Sequence, residues 1–283
     1  MYRVNKVLNN NCVLATCLDD KNEVIVMGRG IGFGKKVSER FDGSGEDRVY
    51  RLQAESRTDN PIALAKSIDS VVLELTGEIL EEAGRCLGQI DRGILLSLAD
   101  HIAFAVKRLK EGLVITNPLT QEIQIAFSQE YEVAEYAAER IREQLGVMVN
   151  EDEKGYIAMH LHTGRSHEKM EDVLGMMQIL QECIGIIQEE MQITIRKGSS
   201  AYSRLASHVK YMLQRLQSGE KLTLDVNEYI LQQMPQMYVL AEKICEMIGH
   251  RMQSKMVFEK VPQEEIGYMA MHVQRVCGGN RVN

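Results

Sequence analysis

The chain has 283 residues, 45% of them hydrophobic and 26% charged, which is the composition of a globular protein with two or three domains. The net charge of −7 excludes a generally basic nucleic-acid binder, and no apolar stretch approaches the ~20 residues of a membrane helix. The first residues lack the apolar region of a signal peptide, so we expect a cytoplasmic protein without membrane insertion. The six cysteines form no C-x-x-C pair, which argues against a zinc ribbon.

Residues 1–55 differ from the rest of the chain in charge and in pattern. They hold nine basic and eight acidic side chains, so any nucleic-acid contact is expected here, where repulsion is least. Apolar and β-branched residues predict four short strands, at residues 2–8, 12–18, 23–27 and 48–52. Asn9, Asn10 and Asn11 favour a turn after the first strand. Four strands make a small core, so we expect this domain to dimerise.

Helical periodicity replaces the strand pattern from Pro61, which suits a first helical turn with Asp59 or Asn60 as its cap. The helical part contains an internal repeat. Residues 98–109 align with residues 205–216 at an offset of 107. Further along, residues 155–160 align with 267–272 at an offset of 112, with five of the six positions identical. The change of offset predicts a five-residue insertion near residues 253–263.

These patterns predict a multidomain protein. A small antiparallel all-β N-terminal domain is followed by two homologous all-α helical-bundle domains. We place the β domain at 1–58, the first helical domain at 61–168 and the second at 169–283.

Four of the seven histidines occupy the repeated positions: His101, His160, His208 and His272. The first histidine of each copy lies seven residues, or two helical turns, before an arginine (Arg108 and Arg215). Histidine and arginine therefore share one side of a helix about 10 Å apart, so direct contact needs a long reach.

Several roles fit such histidines. A structural role is the default, and duplication copies structural residues too. Metal binding usually adds cysteine or carboxylate partners, and catalysis requires a nucleophile or a cofactor motif, neither of which we find. Phosphoryl acceptance needs only an accessible neutral imidazole, and the added charge of roughly −2 can make or break an interface. The residues alone leave the structural and the phosphoryl-accepting roles open.

Residues 27–36 are rich in glycine and basic side chains. They fail the dinucleotide-binding pattern, because Phe33 stands where a third glycine is required, and they lack the ending of a P-loop. Arg29, Lys35 and Lys36 lie in an acid-free stretch with Phe33, whose ring can stack on a base for ~1–3 kcal/mol. RNA binding and a tight hairpin with a solvated basic flank both remain open on this evidence.

Residues 6–11 and 26–36 together resemble the co-antiterminator RNA-binding domain of BglG/SacY/LicT-type transcriptional antiterminators. Residues 100–108 and 155–160 resemble the first phosphotransferase-system regulation domain (PRD) of that family, and the second copy resembles its second. The resemblance covers nearly the whole chain in the family's order. Residues 32–36 and 160–163 look most like the glucose-type members.

The resemblance implies a homodimer that binds an mRNA stem-loop, so that an overlapping terminator cannot form and polymerase reads into sugar-uptake genes. It implies that the four repeated histidines accept phosphoryl groups, from the phosphocarrier HPr and a sugar permease EII component. It implies no enzymatic activity and no cofactor. By motif match, the candidate RNA contacts are Lys6, Asn9, Asn10, Asn11, Arg29, Gly30, Phe33 and Lys35.

Two positions depart from a simple family pattern. Gly34 stands where some members carry Gln, so a side-chain contact made there is absent from this chain. Ser207 replaces Asp100 before the first histidine of the second copy, so the copies need not share one phosphoryl donor.

An alternative from another class is a metal- or ligand-binding helical sensor that uses the β domain only to dimerise. A phosphotransfer enzyme is a third class, but the sequence contains no nucleotide-binding motif to support it. Binding of a stem-loop RNA, lost on Phe33→Ala, separates the antiterminator from the sensor.

Overall fold

A computed structural model describes residues 1–52, 61–196 and 199–279. The predicted helix caps Asp59 and Asn60, and the predicted end of the β domain at residue 58, lie outside the described residues. Within them the predicted fold class is confirmed: an antiparallel sheet comes first, and nearly everything after it is helical.

The N-terminal sheet has five strands rather than the four predicted. They are β1 (Tyr2–Asn9), β2 (Cys12–Cys17), β3 (Glu23–Met27), β4 (Arg40–Phe41) and β5 (Arg48–Arg51). Their spatial order is β4-β1-β2-β3-β5, and every neighbouring pair is antiparallel. The short β4 was missed because two residues carry no readable alternation.

One face of the sheet has its own small core, in which the buried residues are Val4, Val13, Ala15, Val24, Val26 and Phe41. Strand β1 contributes Val4 to the buried set, and its Tyr2 and Val7 pack partly buried against it. The register of β1 against β2 shifts twice, between Val4 and Lys6 and between Val7 and Asn9. Such irregularities interrupt the alternation that a regular strand would show. The loop after β3 supplies Ile31 to this core.

The described helical part contains eleven α helices and a short 3₁₀ helix, Arg92–Ile94. The α helices are α1 (Pro61–Ser67), α2 (Ser70–Leu87), α3 (Leu95–Lys110), α4 (Thr120–Ala126), α5 (Ser128–Leu145), α6 (Glu151–Ser166), α7 (Met170–Met191), α8 (Ser200–Ser218), α9 (Asn227–Gln233), α10 (Pro235–Met252) and α11 (Gln263–Gly279). Helix α1 begins at Pro61, as predicted. No helix in the described segments is apolar over a length that could cross a bilayer.

The internal repeat is visible in the helices. Helices α4 and α5 have their counterparts α9 and α10 starting 107 residues later, and α6 has α11 starting 112 residues later. The connection at 253–262 is five residues longer than the equivalent one at 146–150, so the predicted insertion is confirmed.

The chain forms two compact units, one of Met1–Asn117 with Gln129–Met170, the other of Pro118–Ser128 with the chain from Glu171 onward. The first unit contains the sheet together with the first histidine pair. The second contains the other pair, and also α4, which packs against α8. The division into three domains stays a prediction.

Within the first unit, the sheet contacts helix α2 at a glycine. The Tyr50 hydroxyl donates a hydrogen bond to the Gly77 carbonyl over 3.4 Å. A Cβ at Gly77 would lie 2.9 Å from the Met27 sulfur and 3.0 Å from the Tyr50 oxygen, which is too close. Glycine in mid-helix costs about 1 kcal/mol relative to alanine, so this position trades helix propensity for close packing.

Candidate RNA-binding surface and histidine sites

The asparagine turn and the glycine-rich segment meet at one end of the sheet. The Asn10 carbonyl accepts a hydrogen bond from the Gly32 N–H, and the Asn11 side-chain oxygen accepts one from the Gly30 N–H, each over 2.9 Å. A Cβ at Gly32 would lie 2.1 Å from the Asn9 carbonyl oxygen, so only glycine allows this approach. We call residues 9–11 and 28–34, joined in this way, the turn–loop junction.

Phe33 and Arg29 project from the turn–loop junction. The Phe33 side chain is 76% exposed, which is unusual for an aromatic ring in a folded protein. Gly30 and Gly34 flank it with φ values of 72° and 69°, so the backbone turns sharply on both sides of the ring. Arg29 is exposed next to Gly30. The segment therefore presents a ring and a cation to solvent.

The remaining two candidates, Lys6 and Lys35, lie outside the junction. Lys35 donates a hydrogen bond to Glu39 over 3.0 Å, and its ammonium lies 5.2 Å from the centre of the Phe41 ring. Lys6 is half-buried on β1 opposite Leu14. The structure thus brings six of the eight candidates together: Asn9, Asn10, Asn11, Arg29, Gly30 and Phe33.

The first histidine pair joins α3 and α6. The ring centres of His101 and His160 are 5.2 Å apart. Glu153 lies beside His101, with one oxygen 3.3 Å from His101 Nε2 and the other accepting a 2.7 Å hydrogen bond from Arg108. The two-turn gap between histidine and arginine is thus bridged by a carboxylate. Burial, with a smaller contribution from His101, lowers the pKa of His160 to about 3.

The second pair joins α8 and α11, and it is stacked. The rings of His208 and His272 are 4.3 Å apart and inclined by 20°. Glu265 accepts two 2.7 Å hydrogen bonds from Arg215. Within the described chain, His208 Nε2 and His272 Nδ1 are buried without a hydrogen-bond partner. Burial is the main cause that lowers the pKa of both histidines, to about 3 for His208.

These pKa directions have one chemical consequence. An imidazole with a lowered pKa is neutral at pH 7 and keeps an unprotonated ring nitrogen. That is the form of histidine that can attack a phosphoryl group. His160, His208 and His272 meet this requirement through burial, and each pair lies close to an arginine–glutamate ion pair.

The sequence matches two family models that together cover most of the chain. The CAT RNA binding domain matches residues 2–59, and the PRD domain matches twice, at residues 77–163 and 181–276. The GlcA/glcB genes antiterminator of Staphylococcus carnosus is 30% identical over an alignment of 286 residues. The alignment covers 100% of this chain and 98% of that protein. The chain belongs to the BglG/LicT-type family of transcription antiterminators.

Two further relatives agree with this assignment. Transcription antiterminator LicT of Bacillus subtilis is 28% identical over 275 residues, covering 97% of this chain and 98% of LicT. The crystal structure of GlcT CAT-PRDI is similar with a TM-score of 0.51 and 31% identity, over 58% of this chain and 98% of that one. The similarity to glucose-type members is confirmed, and the antiterminator is an RNA-binding regulator controlled by phosphotransferase-system phosphorylation, not an enzyme.

Sequence reasoning missed the two carboxylates of the histidine sites. Glu153 and Glu265 are 1% and 2% exposed, and each holds the arginine that shares a helix with a histidine. The signal was present, because the two glutamates are themselves 112 residues apart, two positions before the glycine that begins each repeated motif. Extending the repeat by two residues would have found them.

The alternative of a metal sensor receives no support from the described side chains. Among them, no group of three or more His, Cys, Asp or Glu residues is arranged to hold a metal ion. His162, two residues after His160, instead lies 3.0 Å from the buried carboxylate of Glu130.

Proposed function

We propose that the antiterminator binds an mRNA stem-loop as a homodimer and so prevents a terminator from forming upstream of sugar-uptake genes. The turn–loop junction carries this proposal, because it combines an exposed ring, an exposed cation and closely packed backbone. The contacts are Asn9, Asn10, Asn11, Arg29, Gly30 and Phe33, with Lys6 and Lys35 adding positive charge beside them.

The chemistry of the junction fits single-stranded or bulged RNA. An unstacked base can lie on the Phe33 ring, and Arg29 can contact a phosphate. Asparagine amides can donate to phosphates or to base edges. Because the backbone hydrogen bonds hold the turn against the loop, these groups are arranged before RNA arrives, which reduces the entropy lost on binding.

The four histidines are the proposed phosphorylation sites: His101, His160, His208 and His272. The phosphocarrier HPr and a sugar permease EII component are the proposed donors, in the cytoplasm. A phosphoryl group brings a charge of roughly −2 to a partly buried ring pair, which is enough to change the packing of a helical domain. We place RNA binding in the β domain at 1–58 and this control in the two helical domains, at 61–168 and 169–283.

RNA binding is tested on the full-length chain with a panel of bulged stem-loops and with duplex DNA. We expect tight, salt-sensitive binding to particular stem-loops, and a loss of about tenfold or more on Phe33→Ala. Arg29→Ala should weaken binding and reduce the slope of log affinity against log salt by about one. Tyr229→Ala removes a similarly exposed ring from the second unit and serves as the control.

Failure of the wild-type chain to bind any stem-loop, or equal affinity for Phe33→Ala and Tyr229→Ala, would contradict the RNA site. Phosphorylation is tested separately, by mass spectrometry after incubation with phosphorylated HPr and with the phosphorylated EII component. Modification is expected on the paired histidines, whereas label on the exposed His250 alone would contradict the assignment.

A further inference from the structure

One carboxylate from helix α2 occupies the turn–loop junction. The side-chain amides of Asn9 and Asn11 both donate hydrogen bonds to Glu74, one to each carboxylate oxygen, with 3.3 Å for Asn11. The amide oxygens are used within the junction, since Asn9 Oδ1 accepts from the Asn11 N–H and Asn11 Oδ1 accepts from the Gly30 N–H. The amide donors are therefore the groups left to bind a ligand, and Glu74 holds them.

Two amide donors converging on a two-oxygen anion is also an arrangement that binds a phosphate. A carboxylate and a phosphodiester both present two acceptor oxygens and a negative charge. Glu74 therefore satisfies the same donors that a phosphate of the RNA backbone would require. Each amide has two N–H donors, but a phosphate bound to the same pair would lie against the Glu74 carboxylate, and two anions at that distance repel each other.

The next two acidic residues on the same side of α2 extend this contact. Glu81, seven residues after Glu74, forms an ion pair with Arg48 at the start of β5. Glu78 lies between them and lines, with Glu74, Arg29 and Arg48, a cleft of about 410 Å³ beside the junction. Residues at i, i+4 and i+7 share one face of a helix, so the three glutamates form an acidic row. Arg48 pairs with Glu81, and Arg140 of α5 pairs with Glu78.

We propose that Glu74 is an intramolecular competitor of RNA that occupies the amides of Asn9 and Asn11 when no RNA is bound. The proposal rests on the proposed function, because it takes the turn–loop junction as the RNA site. Any RNA that binds there must first displace Glu74. The measured affinity is then the intrinsic affinity multiplied by the fraction of chains in which α2 has released the junction.

The proposal predicts that removing the carboxylate strengthens RNA binding. Glu74→Gln keeps the size of the side chain and removes its charge, and Glu74→Ala removes the acceptor as well. Hydrogen bonds to charged groups stabilise by amounts that correspond to about tenfold or more in an equilibrium. We expect both variants of the full-length chain to bind the stem-loop recognised by the wild type about tenfold more tightly.

The matched control is Glu82→Gln. Glu82 is on the same helix and its removal changes the net charge equally, but it bonds Arg85 and Cys86 of its own helix. Glu82→Gln should change RNA affinity much less than Glu74→Gln. Unchanged or weaker binding by both Glu74 variants would overturn the proposal, since it would mean that Glu74 only orients the asparagine amides.

A second measurement does not depend on RNA. In the nuclear magnetic resonance spectrum of the full-length chain, the side-chain NH₂ signals of Asn9 and Asn11 should shift on Glu74→Gln and stay in place on Glu82→Gln. If these signals shift but no stem-loop binds, the contact exists and the proposed RNA function fails. If stem-loops bind and the signals do not move, the function holds and the intramolecular competitor is overturned.

Discussion

The two histidine sites contain the same residue types but connect them differently. In the first copy, Glu153 divides its carboxylate between Arg108 and the edge of His101. In the second, Glu265 gives both oxygens to Arg215. The charge of Glu265 is therefore balanced by Arg215 alone, whereas Glu153 has both Arg108 and His101 as neighbours.

The histidines reflect this difference. His208 stacks on His272 at 4.3 Å, whereas the His101 and His160 rings are 5.2 Å apart and tilted. The Nε2 atoms of His101 and His208 are both buried without a hydrogen-bond partner in the described chain. A buried nitrogen without a partner costs free energy that a hydrogen bond would recover. The two copies thus keep the same residue types in the site but differ in the contacts that surround each histidine ring. A phosphoryl group on one ring would therefore meet different neighbours in the two copies.

The largest expected effect comes from removing the arginines. Arg215→Met should lower the free energy of unfolding by about 3–5 kcal/mol, because Glu265 is left buried and charged with no cation. Arg108→Met should cost about 1–2 kcal/mol less, because Glu153 keeps His101 as a second polar neighbour, 3.3 Å away. Urea unfolding of both variants checks the order.

Two controls accompany this pair. Arg142→Met removes an exposed ion pair with Glu139 and should change little. Adding Glu265→Gln to Arg215→Met should recover part of the loss, because the uncompensated charge is gone. Equal losses for Arg108→Met and Arg215→Met would show that the two carboxylates are held equivalently.

The next effect is a dependence of stability on pH. A histidine whose folded-state pKa is lowered takes up a proton more readily when unfolded, so its contribution to stability is complete above about pH 6.5 and is lost as pH falls toward 3. Each such histidine should lower the free energy of unfolding by up to about 1.4 kcal/mol per pH unit below pH 6.5. His208→Gln should therefore flatten the dependence between pH 6.5 and 5.

The range from pH 6.5 to 5 lies above the titration of Glu153, because His101 and Arg108 lower the pKa of that carboxyl despite its burial. His250→Gln, which changes an exposed histidine of the same unit, is the control. A slope equally reduced by both substitutions would argue against burial as the cause.

The smallest expected effect concerns the aromatic residue three positions after each first histidine. The Arg108 guanidinium lies 4.5 Å from the centre of the Phe104 ring, and among the described contacts Arg215 has no such partner in Tyr211. Phe104→Leu should therefore cost about 0.5–1 kcal/mol and Tyr211→Leu less. Thermal unfolding measures the loss of stability in each variant. A larger loss for Tyr211→Leu than for Phe104→Leu would show that the contact between Arg108 and Phe104 is not the cause.

Much of this molecule follows from local sequence. The strands, the start of α1, the repeat and its five-residue insertion are all readable, because side-chain periodicity and turn residues act over a few positions. The same holds for the asparagine turn and the glycine loop, whose residue types each favour one backbone shape.

Packing between distant segments was not readable in this way. Helix α4 packs on α8, whereas its repeat counterpart α9 packs on α10 and α11, although both occupy the same place in the repeat. Periodicity identifies a buried face but does not say which neighbour covers it. The two-residue β4 likewise exists only through its pairing with β1.

The sequence by itself determined the family, the order of a sheet followed by repeated helices, and the asparagine turn and glycine-rich loop, because those depend on residue types at fixed short spacings. Only the tertiary structure decided that Glu153 links Arg108 to His101 and that Glu74 holds Asn9 and Asn11. The partners in these contacts are 45 to 65 residues apart in the chain. A carboxylate accepts hydrogen bonds from whichever donors lie within about 3 Å of it. Which donors those are depends on how distant segments pack together and not on their spacing in the sequence.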